Sequence, residues 1–366
     1  MTEPIKIGMA GIGRAGWGMH CEELKGREAQ FQIVAACDLI PLRCEKMAER
    51  YQCRTTLKID ELVKMPEVEL VDIATRSNDH LAHAVLALEA GKYVYLEKPI
   101  CLSYTDALRL AAVAEKHPGR LFIRQNRRFD PDFIHVQEII ASGILGEVYE
   151  IRLARHNFQR RDDWQTIKEF GGGQLLNWGP HIVDHALRFL ESPVESMFSD
   201  LKQIAAVGDA EDHIKIVLRG SNGRLVDLEI SGGVALGAPT YRVFGTRGSL
   251  ALTGREIHLK YLDPAQPLKP RKADPGTPES NDEPWHVINA QKGATGITPR
   301  KNAFGPSETL PWIETKIPVK AGSNTVLWDH LHAAIREGKP FPIRLDEVLE
   351  VMRVISAARK GTRFDL

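Results

Sequence analysis

The sequence predicts an α/β protein in two parts. A parallel sheet wound with helices fills residues 1–126. An α+β domain with a large, mostly antiparallel sheet fills residues 127–366. Three observations carry this. Apolar runs alternate with helical patterns through the first third of the chain, which implies parallel strands with helices on both faces. A Gly-x-Gly-x-x-Gly separates the first apolar run from the first helical pattern. After Asn126 the texture changes to short strands in which charged and apolar residues alternate, the mark of an antiparallel sheet with one exposed face. At 366 residues the chain is long for one domain and suits two.

The elements of the first part follow in order. The runs "IKIGMAG", "FQIVAACD", "ELVDIAT", "KYVYLEKP" and "RLFIRQN" are rich in β-branched, apolar and aromatic residues and read as buried strands. Between them, "PLRCEKMAERY", "HLAHAVLALEAG" and "YTDALRLAAVAEKHPG" have helical spacing. The latter two stop at Gly91 and at Pro118–Gly119, both helix terminators. In the second part, "FDPDFIHVQEIIASGILG" reads as a helix and "EVYEIRLARHNF" as a strand. "GGGQLLNWGPHIVDHALRFLES" is a glycine-rich turn leading into a helix. Strands follow at "SMFSDLKQIA", "DHIKIVLRG", "RLVDLEISGGVAL", "TYRVFGTRGSLALTG" and "EIHLKYL", and two helices close the chain at 323–338 and 345–360. Residues 263–312 hold nine of the 21 prolines and read as an extended surface excursion, the alternative being an arm over the site or around a neighbouring subunit.

Composition narrows the function. Lys+Arg and Asp+Glu are each 48, so the formal net charge is zero. A nucleic-acid or membrane-surface role usually needs a basic excess, and none exists. No apolar run is long enough to span a bilayer. The N-terminus lacks the basic region, apolar region and cleavage site of a signal peptide, which gives a cytoplasmic expectation. Cys21, Cys37, Cys44, Cys53 and Cys101 are odd in number and form no Cys-x-x-Cys, so free buried thiols are expected and no metal site.

The chemistry-bearing motifs lie at strand ends. Gly11-Ile12-Gly13-Arg14-Ala15-Gly16 follows the first strand, where the dinucleotide-binding (Rossmann) fingerprint belongs. Gly11 allows the tight turn, Gly13 the approach of a pyrophosphate and Gly16 close helix–strand packing. Asp38 ends the second strand, where a carboxylate accepts from the adenine-ribose hydroxyls and repels a 2′-phosphate. Leu39 and Ile40 add no basic residue, so NAD is expected over NADP. Glu97, Lys98 and Pro99 end a strand abruptly. A surface ion pair there would be worth little, but ligands of open α/β sheets bind beyond the carboxyl ends of strands. An ammonium there favours an alkoxide.

These motifs, with "DIATRSNDHLAHAVLALEAGKYVYLEKP", "RQNRRFDPDF", "ASGILGEVYEIR", "GGGQLLNWGPHIVDHALRF", "VFGTRGSLAL" and the closing "DHLHAAIREGKPFPIRLDEVLEVMRVISAARKG", resemble in kind and order the Gfo/Idh/MocA oxidoreductases, a family named for glucose–fructose oxidoreductase and inositol dehydrogenase. The resemblance implies a cleft between a Rossmann domain and a sheet domain. It implies a catalytic lysine at Lys98 and a general acid/base at His181. It places Thr75, His80, Glu97 and Gln125 along the nicotinamide half of the cofactor, and implies a homodimer or homotetramer. Two departures stand out. Asn177 takes the place of the family's usual aspartate four residues before the histidine; it can still orient the imidazole or a substrate hydroxyl but gives His181 no charge support, which Asp184, also expected as a substrate contact, is placed to supply only in part if it is not a packing carboxylate. Arg76 replaces a common proline, as a solvated charge or as an extra cation for the cofactor or an anionic substrate. Arg155, His156, Arg160, Arg161 and Trp164 mix donors with an aromatic ring, as a polyhydroxylated substrate requires, although Arg160 and Arg161 also suit a solvated loop.

The reading is an NAD-dependent dehydrogenase of a secondary alcohol on a sugar, glycoside or inositol. The alternatives are a redox-neutral sugar-modifying enzyme working through a transient keto sugar, and a cofactor-binding regulator without turnover.

Overall fold

The computed structural model describes residues 3–270 and 309–365. The first sheet has six parallel strands in the order β3-β2-β1-β4-β5-β6: β1 Ile5–Ala10, β2 Phe31–Cys37, β3 Arg54–Thr56, β4 Leu70–Ile73, β5 Tyr93–Glu97 and β6 Leu121–Arg124. β4 is buried on both faces, as parallel strands covered by helices must be. The strand order reverses between β1 and β4, which opens a crevice at their carboxyl ends. Gly11, Thr75, Lys98 and Gln125 directly follow β1, β4, β5 and β6 or lie one residue beyond, so they gather along one edge. The three-residue β3 was not expected from the sequence, because three residues show no periodicity.

The second sheet has eight strands in the order β14-β13-β12-β11-β7-β10-β9-β8: β7 Val148–His156, β8 Val194–Lys202, β9 His213–Gly220, β10 Leu225–Ser231, β11 Tyr241–Gly245, β12 Gly248–Thr253, β13 Glu256–Leu262 and β14 Trp312–Pro318. Every pairing is antiparallel except β7 with β10. The run read as one strand, "TYRVFGTRGSLALTG", is the hairpin β11–β12. β14 lies just beyond the proline-rich stretch. Its alternating "WIETKIP" pairs with β13 along the whole strand. Residues 271–308 of that stretch lie outside the described residues.

Helix Gly179–Leu190 decides the layout of the site. Eleven of its 12 residues are buried, all but Arg188, because it lies between the second sheet and the closing helix Leu345–Arg359. A helix buried on all sides must satisfy every polar side chain it carries. Asp184 meets Arg128 at 2.6 Å, and His185 meets the Arg127 carbonyl at 2.9 Å and the Tyr241 hydroxyl at 3.0 Å. His181 is the exception, with Nδ1 buried and without a hydrogen-bond partner among the described residues.

The closing helices occupy Val326–Glu337 and Leu345–Arg359. The first of these, grouped with the second part in the sequence division at 126/127, packs instead on the first sheet. Its Trp328 is 1% exposed, lies edge-on to Phe31 and donates its indole N–H to Glu23 at 2.7 Å. The two parts are thus tied by a core aromatic as well as by the chain. Among the described residues no helix is long and apolar enough to cross a membrane, and no cluster of side chains has the make-up of a metal site. Cys21, Cys37, Cys44, Cys53 and Cys101 are free thiols.

Candidate active site

At the crevice between β1 and β4, the glycine geometry fits a dinucleotide. Gly11 has φ +91°, and a Cβ there would sit 2.6 Å from the Ala74 backbone. A Cβ on Gly16 would strike the Gly11 carbonyl at 2.0 Å. Gly13 differs: the first atom a Cβ would meet is an Arg43 guanidinium nitrogen at 3.8 Å, so its backbone is open to a ligand. A π-helical turn, Gly16–His20, swings His20 into the protein interior. Asp38 accepts from the Ile12 amide at 2.7 Å and the Ile40 amide at 3.0 Å, which locks the β1 and β2 ends together. Arg43 also reaches Asp38, at 3.2 Å, and stays 43% exposed. This corrects the sequence argument that the β2 end has no cation. Arg43 lies one helical turn beyond Ile40, where only folding brings it beside the carboxylate. Arg14 is exposed at the same rim.

At the β5 end, Glu97 and Lys98 have opposite fates. Glu97 is buried and takes Arg124 at 2.8 Å and His20 at 3.0 Å. Burial alone would push its carboxyl up, but Arg124 and His20 hold it well below the usual range. Its other oxygen accepts from the Lys98 amide at 3.0 Å. Glu97 therefore supports the backbone of Lys98, and its oxygens are taken. Lys98 projects the other way and donates to the Asn177 carbonyl at 3.0 Å. Desolvation by burial, outweighing the attraction of Glu97, lowers its pKa from 10.5 to about 8. Ser77, Gln165, Gly173 and Asn177 line a small polar crevice beside it.

His181 lies one helical turn past Asn177. Burial first, then the charges of Lys98 and Arg127, hold its pKa well below 6.5, so it is a neutral imidazole at ordinary pH. Trp178 meets it edge-on at 5.8 Å. Asn177 does not orient it. The Asn177 amide oxygen faces Gln165 at 3.5 Å and its carbonyl faces Lys98. Placing the family's usual carboxylate here, Asn177→Asp, should favour the charged form of Lys98 and raise its pKa by about one unit. A pH–rate profile whose alkaline limb stays where it is in the wild type would show that this position does not act on Lys98.

The other expected residues divide. Thr75 and Gln125 stand at the crevice edge, Thr75 bonded to His83 at 3.1 Å and Gln125 to the Pro180 carbonyl. His80 is buried, with its ring nitrogens on the Pro99 and Thr75 carbonyls at 2.6 and 3.2 Å. It clamps the two strand-end turns together and leaves no ring nitrogen for a ligand. Asp184 is corrected as a substrate group: it is fully buried and bidentate to Arg128, so it is a packing carboxylate. His156 is corrected too. Successive strand residues face opposite sides, and His156 lies on the outer face against Glu229 at 3.1 Å, whereas Arg155 faces inward over the Trp178 ring at 3.2 Å. Trp164 carries the Arg76 guanidinium at 5.9 Å. Arg161 pairs with Asp163 at 2.7 Å, and Arg160 is exposed. Gln165, Arg127 and Trp178 were not singled out from sequence. "RQNRRFDPDF" holds Arg127 and "NWGPH" holds Trp178, but nothing in them shows which residue turns inward, and Gln165 lies in neither.

A comparison with known families now bears on this arrangement. Residues 5–125 match the oxidoreductase family with an NAD-binding Rossmann fold, and residues 133–251 match the GFO/IDH/MocA C-terminal domain. An uncharacterized oxidoreductase of Schizosaccharomyces pombe is 32% identical over 262 residues, 69% of this chain and 71% of that protein. The chain belongs to the Gfo/Idh/MocA family of oxidoreductases. A further relative, a scyllo-inositol 2-dehydrogenase (NADP(+)) of Bacillus subtilis, is 23% identical over 369 residues, covering 99% of this chain and 95% of its own. The crystal structure of an NAD-binding protein from Listeria innocua superposes with a TM-score of 0.78 at 22% identity, over 99% of this chain and 98% of that one. At that identity the likeness is one of fold. This Gfo/Idh/MocA chain is accordingly an enzyme of the oxidoreductase class, and the reading as a regulator without turnover is set aside.

Proposed function

We propose that this protein is an NAD-dependent dehydrogenase of a secondary alcohol on a small polyhydroxylated ring, a sugar, glycoside or inositol. The observation that carries this is the pairing of a half-buried ammonium, Lys98, with a neutral imidazole, His181, whose Nδ1 is buried and unpartnered. Orphaned buried polar atoms are rare, and one that feels the Lys98 charge suits a ligand. When bound, NAD supplies the hydride acceptor. Lys98 donates to the substrate hydroxyl and stabilises negative charge as it forms on that oxygen. His181 accepts the proton, directly or through one water, because its depressed pKa keeps it unprotonated. Gly11, Ile12, Gly13 and Arg14 hold the pyrophosphate, and Asp38 the adenine ribose. Homodimers or homotetramers fit the exposed outer face of the second sheet.

Cofactor choice rests on Asp38 against Arg43. Asp38 is 8% exposed and held by two backbone amides, so it cannot swing away from a 2′-phosphate. Arg43 is half-exposed and offers such a phosphate partial relief. NAD is expected to be preferred at least tenfold in kcat/KM, about 1.4 kcal/mol. Asp38→Ser should reverse that preference, and Arg43→Ala should deepen it. A wild type that favours NADP would overturn the assignment. The reaction itself is tested by NADH formation across inositols, hexoses and simple glycosides. Steady NADH with one class supports the dehydrogenase. Protein that purifies with cofactor and accumulates no NADH points to the redox-neutral reading.

A further inference from the structure

The surroundings of Trp178 are more cationic than a neutral polyol requires. Arg155 is exposed, and its side chain has no hydrogen bond and no ion pair among the described residues. Its guanidinium lies over the Trp178 ring at 3.2 Å, and Arg127 lies over the same ring at 4.4 Å. Arg127 has a carboxylate partner, Asp130, at 2.8 Å. Arg155 has none, and desolvation, then the Arg127 charge, lowers its pKa to about 10. Two guanidiniums on one indole repel each other, and Asp130, already paired with Arg127, relieves Arg155 only in part. An indole face attracts a cation, but weakly compared with a bidentate anion.

The cluster adjoins the chemistry. Trp178 follows Asn177, whose carbonyl holds Lys98, and it meets the His181 ring edge-on at 5.8 Å. A second unpaired cation, Arg76, lies over Phe170 at 5.1 Å, next to the crevice residue Ser77. The nearby carboxylates are committed: Glu97 to Arg124 and His20, Asp184 to Arg128, Asp163 to Arg161. A dinucleotide pyrophosphate answers Arg14 and the glycine-rich turn. It leaves Arg155 and Arg76 uncompensated on the substrate side.

We infer that the substrate is an anionic sugar or cyclitol derivative, one bearing a carboxylate or phosphate, and that Arg155 binds the anionic group while Trp178 holds its guanidinium in place. This rests on the dehydrogenase reading above and narrows it to an acidic substrate. A planar guanidinium pre-set by stacking loses little freedom on binding a carboxylate or phosphate.

The test is a tryptophan-fluorescence titration of the full-length protein with NADH present, using D-glucuronate, D-glucose 6-phosphate and D-glucose, repeated for Arg155→Gln and Arg155→Lys. At least one anion should bind tenfold or more tighter than D-glucose, and which one does separates carboxylate from phosphate. Arg155→Gln should bring that preference below threefold, and Arg155→Lys should restore part of it. Circular dichroism checks that both variants fold. The inference is overturned if D-glucose binds within threefold of both anions, if neither anion binds, or if Arg155→Gln keeps the preference. The NADH titration in the same cuvette addresses the dehydrogenase reading separately. Protein that fails to bind NADH sinks that reading, while the anion titrations, read with or without cofactor, still decide the role of Arg155.

Discussion

Replacing Lys98 with alanine is expected to lower kcat by roughly 10²–10³-fold, the usual effect of removing one donor from a developing oxyanion, with little change in NADH binding. The pH dependence adds a second readout. With its pKa lowered to about 8, Lys98 is an ammonium below that pH and loses its charge above it. His181 is held well below 6.5 by burial and by neighbouring cations, so its base form is present throughout the neutral range. The wild-type kcat/KM should therefore fall as pH rises through about 8. Lys98→Arg keeps the charge far above that range, so its alkaline limb should vanish even if kcat drops. Full turnover by Lys98→Ala, or a limb that Lys98→Arg leaves in place, would remove Lys98 from the chemistry.

The largest effect on stability is expected behind the site. Arg124 is 2% exposed and joins Glu97 at 2.8 Å to Glu23 at 2.6 Å. His20, fully buried, links Glu97 to Asp72 at 2.8 Å, and Trp328 ties Glu23 to the closing helix. Breaking one member of such a set strands charges in the interior. Arg124→Met should cost about 3–5 kcal/mol in denaturant unfolding, and a loss under about 1 kcal/mol would show that the network is solvated or slack. His20 gives this network a pH signature. Burial opposes its charge, but Asp72 and then Glu97 outweigh it and raise the pKa from 6.5 to about 9. For a raised histidine the stabilisation is complete below the unfolded value of about 6.5 and is lost as pH rises through about 9, on the order of 3 kcal/mol in all. Lys98, with a lowered pKa, acts in the opposite sense above about 8, so the comparison is wild type against His20→Gln. The variant should lose the part of the slope between pH 6.5 and 9, and identical slopes would rule out a buried imidazolium at His20.

The network also explains how the two parts of the chain cooperate. Glu97 anchors the backbone amide of Lys98 while its other oxygen is fixed by groups that lead to Trp328, a residue from the far end of the chain. The lysine is thus set on a strand end whose position depends on packing between residues more than 200 apart in sequence.

The chain's local chemistry determined the alternating strands and helices of the first part, the glycine turn, the acid at the β2 end and the lysine at the β5 end. Each of these depends on neighbours within a few residues: Gly11 on its own φ, Gly16 on the Gly11 carbonyl, Lys98 on the strand that stops beneath it. Local pattern also showed the change to an antiparallel sheet, because alternation with a period of two is written residue by residue. Tertiary structure alone decided which polar residues face the crevice. Arg155 and His156 are adjacent in sequence, yet the pleat sends one over Trp178 and the other to the opposite face of the sheet, against Glu229. Asp184 and His181 share a buried helix, yet Arg128 reaches only the former. Arg43 meets Asp38, and Trp328 crosses to the first sheet, through contacts that no short window of sequence contains. A charge becomes a catalytic or binding group when its partners leave it unpaired in a crevice, and those partners are chosen by long-range packing.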